Sequence, residues 1–116
     1  MKAKIVDFSE VVESKVEIEG AKDVYIRWLV AEDDEAPNFY LRHFRISENG
    51  HTPYHKHNYE HEVFVLSGEG IAVLEDKEYP IKGGSVLSVP PNAMHQFKNN
   101  SKSDIRFLCI IPKIPI

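Results

Sequence analysis

The sequence predicts an all-β domain, an antiparallel sandwich or barrel, and three observations carry that expectation. Most of the chain alternates apolar and polar residues in period 2, the apolar positions are rich in β-branched and aromatic types, and turn residues recur about every eight to twelve positions. Little room is left for helix. In order, the expected strands are Lys4–Asp7, Val24–Val30, Asn38–Ser47, Glu62–Ser67, Gly70–Glu75, Glu78–Ile81, Ser85–Val89, His95–Lys98 and Ile105–Ile111. Turn chemistry separates them: Asp33-Asp34-Glu35-Ala36-Pro37, Glu48-Asn49-Gly50, Ser67-Gly68, Glu75-Asp76-Lys77, Lys82-Gly83-Gly84, Pro90-Pro91-Asn92 and Asn99-Asn100-Ser101. The acidic stretch Glu32–Glu35 reads as a solvated loop. The ending PKIPI holds two prolines, so it is expected to leave the sheet and run along the surface or protrude.

The bulk numbers bound the function. A chain of 116 residues with 42% hydrophobic residues can bury one core without disulfides, so one domain is expected. Fourteen basic and eighteen acidic residues give a net charge of −4, with no block of either sign suited to nucleic acid or an anionic membrane. The start MKAKIVDFSE lacks the apolar run of a signal peptide, and no run of about 18 apolar residues suits a membrane-spanning helix. A single cysteine, Cys109, excludes an intrachain disulfide and suits a reducing compartment, so the cytoplasm is the expected location.

Six histidines are present, and four fall in positions that strands can bring together. His55 and His57 are two apart and leave the same face of an extended segment. His61 keeps that parity, and Val63 and Val65 continue it inward. His95 follows the rigid Pro90-Pro91-Asn92 turn, so an antiparallel return can set it opposite the first three. Neutral imidazole binds zinc, copper, nickel, iron and manganese, and converging rings hold an ion that one ring holds poorly. The expected cofactor is therefore one divalent transition metal per chain. His43 shares the parity of Phe39 and Leu41, and His51 sits in the turn after Gly50. Both are read as surface or interface residues.

Residues 50–68, GHTPYHKHNYEHEVFVLSG, resemble the first motif of the cupin family, and residues 84–99, GSVLSVPPNAMHQFKN, resemble the second. Gly84, Pro90, His95 and Asn99 fit the second motif, and Asn92 stands where glycine is usual; asparagine tolerates the same left-handed backbone. The resemblance implies a double-stranded β-helix, or jelly-roll barrel, over residues 23–111. Residues 1–22 would form N-terminal strands that can be exchanged in a homodimer, and 112–116 a tail. Most cupins place a glutamate three or four residues after the second histidine, where this chain has His61 at three and Glu62 at four. Parity favours His61 inward. The string HKHNYEHEVFVLSG is similar to a subgroup of small thermophile cupins in which four histidines bind the metal, commonly manganese, so manganese is the first expectation, with iron, copper, nickel and zinc as alternatives. Four neutral rings leave the full dipositive charge on the metal, which favours binding anions and polarising carbonyls.

Inward parity on neighbouring strands nominates the pocket. Tyr40, Phe97 and Phe107 are candidate walls, with Phe44, Ile46 and Ile111. Arg42 must pair with a carboxylate or reach the pocket mouth to hold an anionic ligand, because burying an unpaired guanidinium is costly. Cys109 is either a small buried hydrophobe or a reactive group beside the metal, and a reactive thiol needs a depressed pKa. Arg42 and Cys109 are the candidate catalytic residues. Tyr54 and Tyr59 flank the ligand loop, and Trp28 is assigned to core or interface. Phe64 and Leu66 point away from the cavity, an apolar outer face that a second subunit can cover.

Three functions fit. The first is a mononuclear, dioxygenase-like oxidoreductase acting on a small molecule bound through two oxygens. The second is a non-catalytic module that binds a small ligand. The third is a metal-dependent isomerase or lyase that needs no oxygen. No amino-acid general base is evident beside the ligands, which argues against metal-independent hydrolysis or isomerisation relying on a carboxylate or lysine inside the pocket.

Overall fold

The structure, a computed structural model, describes residues 1–113. Nine strands follow in chain order: β1 (Ser14–Lys15), β2 (Lys22–Val30), β3 (Phe39–His51), β4 (His61–Ser67), β5 (Glu69–Leu74), β6 (Lys77–Lys82), β7 (Val86–Val89), β8 (His95–Lys98) and β9 (Ile105–Pro112). All pairings are antiparallel, in the order β6-β5-β8-β3-β9-β4-β7, with β2 also on β3 and β1 on β2. The sheet curls into the expected jelly-roll barrel. Helix among the described residues is confined to two 3-10 turns, Phe8–Glu10 and Glu32–Asp34.

Alternation decides which face each strand buries. In β3, Tyr40 and Ile46 face the interior, and on β9 their partners Ile111 and Ile105 do the same. Val63 and Val65 on β4 pack beside Cys109 and Phe107 of β9 through the β4–β9 register. Together with Val24, Ala72 and Phe97 these side chains make one contiguous core. Burying each such aliphatic or aromatic side chain is worth about 1.5–3 kcal/mol, so this layer holds the barrel closed.

Four expectations are corrected. Lys4–Asp7 is not a strand: the Asp7 carboxylate accepts from Ser9 N and the Glu10 carboxylate from Asp7 N, a capping box that turns the chain into the first 3-10 turn. The Lys4 ammonium donates to the Leu29 carbonyl at 2.8 Å and to Asp34 at 2.9 Å, so the first thirteen residues lie as a strap across β2 and β3. Glu48-Asn49-Gly50 does not end its strand, and His51 belongs to β3, opposite Lys22 and Lys98. Asn49 sits at φ 64° and lets the strand bend, while a Cβ on Gly50 would lie 2.7 Å from the Lys22 carbonyl, so only glycine admits β2 this closely. Pro112 ends β9 opposite Phe39, where its missing N–H costs no ladder bond in the interior of a sheet. The remainder of the expected tail, 114–116, lies outside the described residues. Of the two assignments for Trp28, core or interface, the core one fails: the residue is 45% exposed.

Candidate metal centre

Backbone pairing brings the two histidine clusters together. His55 and His95 form an isolated antiparallel bridge, His55 N donating to His95 O at 3.1 Å and His95 N to His55 O at 2.8 Å. Thr52 anchors the approach, since its hydroxyl accepts from Phe97 N at 2.8 Å and its own N–H donates to Phe97 O. Beyond the bridge, the His57 carbonyl accepts from Asn92 N. Asn92 has φ 67°, the left-handed backbone that the second motif usually gives to glycine. Odd-numbered residues from His55 to Val65 are all less exposed than their even-numbered neighbours, so inward parity runs unbroken into β4 and leaves Glu62 exposed.

The four rings converge. His57 lies 4.3 Å from His55, 5.0 Å from His61 and 5.5 Å from His95 between centroids, and His61 lies 4.9 Å from His95. Ring nitrogens of His55, His57 and His95 all fall within 4.8 Å of one another, the spacing of a possible three-histidine metal site. His61 stands beside them with Nδ1 3.4 Å from the Cys109 sulfur, and its Nε2 is buried with no hydrogen-bond partner. His95 Nδ1 is 2.9 Å from the Ala93 carbonyl, so it carries the proton there and leaves Nε2 free.

Burial and mutual repulsion keep the His55, His57 and His61 rings neutral. Desolvation first, then neighbouring histidines and Arg42, hold His55 down to about 4. Desolvation and the Arg42 guanidinium hold His61 down to about 3, and the same forces lower His57. Their lone pairs are therefore available at neutral pH.

A cavity of about 380 Å³ opens over the cluster. Phe97 and Phe107 line it, with their rings 4.8 Å apart, and Phe44 stacks on Phe107. Among the described residues Arg42 has no carboxylate partner and its Nε no hydrogen-bond partner; its Nη2 donates to the Cys109 sulfur at 2.9 Å, and the guanidinium lies over Trp28 and Phe44. Cys109 is buried, and desolvation pushes its thiol up, the opposite of the depressed value a reactive thiol needs. Tyr59 stacks on His57 with the planes 2° apart, whereas Tyr54 reaches Asp76 away from the cavity.

Tyr40 is corrected: it lines a separate cavity beside Lys4 and Asp34, and its hydroxyl donates to Glu32. Its ring meets Trp28 edge-on, and Trp28 is the side chain that reaches both spaces. His43 is also corrected. It lies on the outer face, as parity predicts, but is buried there under Phe8 of the strap, 5.2 Å between centroids. Sequence reasoning missed Trp28, Thr52 and the rim residues Val16, Glu17 and Ile18. The parity Trp28 shares with Val24 and Ile26 was a usable signal. Glu17 gave none, and its exposed carboxylate qualifies the expectation that the pocket holds no acid.

A Cupin domain model matches residues 42–111, well over half of the chain. The polyketide cyclase RemF from Streptomyces resistomycificus is similar in structure, with TM-score 0.91 and 34% identity over 96% of this chain and 80% of that one. Among curated relatives, an oxalate-binding protein of Thermotoga maritima is 36% identical over 49% of this chain and 48% of its own length, and auxin-binding protein 1 of Arabidopsis thaliana is 35% identical over 56% and 37%. The chain thus spans less than half the length of these curated relatives. Since the matched region runs from Arg42 through the bridged histidines to Ile111 and so takes in both motifs, the chain belongs to the cupin family.

Proposed function

We propose that this protein is a metal-dependent enzyme that promotes proton-transfer chemistry, such as aldol-type carbon–carbon bond making or breaking, on a small apolar carbonyl compound. His55, His57, His61 and His95 are the proposed ligands. The observation that carries the reading is the buried, unpartnered His61 Nε2 among three other convergent imidazoles. Such an atom costs free energy unless something occupies it. If His61 Nδ1–H donates to Cys109 and His95 Nδ1–H to Ala93, both present Nε2 lone pairs to the same centre. A divalent metal held by these four rings would supply Lewis acidity, undiminished by any carboxylate ligand, to a bound carbonyl compound. Manganese is the metal we expect, from the likeness to four-histidine cupins.

The chain's own residues shape what binds. Phe44, Phe97 and Phe107 supply flat apolar walls, and the Arg42 guanidinium, without a carboxylate partner, holds a negatively charged oxygen at the mouth. Glu17 at the rim is the carboxylate placed to exchange a proton with ligand or solvent. The likeness to a polyketide cyclase supports carbonyl chemistry over oxygenation. We further propose that the protein is a homodimer.

The test is anaerobic turnover of the aldol adduct of benzaldehyde and acetone by metal-reconstituted protein. Cleavage breaks one carbon–carbon bond, the hydroxyl proton is released and the acetone carbon gains one, so no oxidant is consumed. Benzaldehyde release that depends on metal and not on dioxygen supports the reading. Turnover only with oxygen uptake restores the dioxygenase-like alternative, and a ligand-induced change in metal spectra without turnover makes the protein a binding module.

A further inference from the structure

β6 and β7 are consecutive, joined by the short Gly83-Gly84-Ser85 turn, yet they do not pair: they are the two ends of the sheet order and diverge from that turn. The barrel is therefore open along this seam. Behind it lies a second cavity of about 450 Å³. One side is Ala72, Tyr79 and Ile81, the other Leu87 and Val89, and its floor is His95 and Phe97. His95 and Phe97 also line the cavity over the histidine cluster, so the two spaces meet at the same pair of side chains.

We propose that this seam is a ligand subsite that takes the alkyl or aryl end of the molecule whose oxygen-bearing end lies at the histidines. It rests on the carbonyl-compound reading above and specifies its substrate class: amphiphilic, with an apolar arm of several carbons. Three features carry the assignment. The inward residues of the slot, Ala72, Ile81, Leu87 and Val89, are aliphatic, so an apolar arm gains by entering and a charged one loses. Ala72 is small where its cross-strand partners are Phe97 and Tyr79, which leaves depth between two rings. The shared floor of His95 and Phe97 sets the slot beside the centre that would bind the polar end. Together the two cavities fall within the volume range of small-molecule pockets, about 300–1,000 Å³.

The test uses acetylacetone and homologues lengthened one methylene at a time on one end, titrated into the cobalt-substituted protein and followed by the metal's visible spectrum. Affinity is expected to rise by about fourfold per buried methylene until the slot is full. In Leu87→Trp, which fills the slot from β7, acetylacetone binds as before while the rise with chain length is lost. Equal affinity for all homologues in the wild type overturns the subsite. A second measurement is independent of the metal and of Leu87→Trp folding: n-decanol added to metal-free wild-type protein is expected to shift the methyl NMR signals of Ala72, Leu87 and Val89. Shifts confined to Phe64, Leu66 and Val86 neighbours on the outer face overturn the proposal. If decanol shifts the slot methyls but no diketone perturbs the metal, the slot stands and the carbonyl reading fails.

Discussion

At the residue scale the ligand set turns on His61 against Glu62, neighbours in sequence on opposite faces of β4. His61 is 5% exposed and has a buried nitrogen without a partner, while Glu62 is exposed and its carboxyl is raised by the adjacent Glu60. His57→Ala and His61→Ala are each expected to leave a small fraction of the wild-type metal per chain by plasma mass spectrometry, whereas Glu62→Ala retains it. Normal metal in the His61 variant with loss in the Glu62 variant would reverse the assignment. Cys109 acts one step away. Its sulfur sits between Arg42 Nη2 and His61 Nδ1, so replacing it with valine removes the hydrogen-bond partner that orients the ring. Metal affinity in Cys109→Val is expected to fall about 10–100-fold, with Cys109→Ser recovering most of it, as competition with a chromogenic chelator would show. Parity made the inward direction of His55, His57 and His61 legible. The Cys109 contact was not, because it depends on which strand lies beside β4, and single-strand patterns carry no register between strands.

At the scale of elements, the strap is the part that alternation misread. Lys4-Ile5-Val6-Asp7 has strand-like residues but no edge to join: Ser14–Lys15 occupies the free edge of β2, and Ile5 stays 97% exposed. What the strap does instead is cover His43. Arg27 donates to the carbonyls of Phe8, Ser9 and Val11, and Glu13 meets Arg27 and Arg45, so Phe8 is held over the imidazole. Burial, aided by Arg106 and Arg27 and opposed by Glu13, keeps His43 below the usual histidine range. The sign follows: above the unfolded value of about 6.5 both states are neutral, and as pH falls below it the unfolded chain takes up a proton that the folded chain refuses. Stability is thus present above that value and lost as pH falls toward the folded pKa, at up to about 1.4 kcal/mol per pH unit for each such group. His55, His57 and His61 act with the same sign in metal-free protein. Urea midpoints of chelator-treated protein are expected to drop between pH 7 and pH 5, with a shallower drop in His43→Phe. An identical pH dependence in the variant would show that the strap pocket does not resist protonation.

For the whole molecule, the architecture was legible because antiparallel strands with one buried face must alternate, and eight of the nine expected strands recur, His95–Lys98 with the same ends and the others with an end shifted. The barrel's open seam and the division of its outer face were not, since both depend on which strands end the sheet. One cross-sheet row shows that division: Arg27, His43, Leu108, Phe64 and Val86 stand side by side on β2, β3, β9, β4 and β7. The strap covers the β2–β3 end of this row. The β9–β4–β7 end is bare, with Phe64 47% and Val86 76% exposed, and Ile110 and Leu66 extend it. An apolar surface continuous across three strands favours association, and a two-fold copy brings the same patch against itself, so no complementary surface has to exist elsewhere. The wild-type protein is expected to sediment as a dimer at micromolar concentration, and Phe64→Lys as a monomer. Because the Phe64 side chain points away from the histidines, the variant should keep its metal, which separates loss of association from loss of fold. A monomeric wild type would mean that a single copy tolerates the bare face.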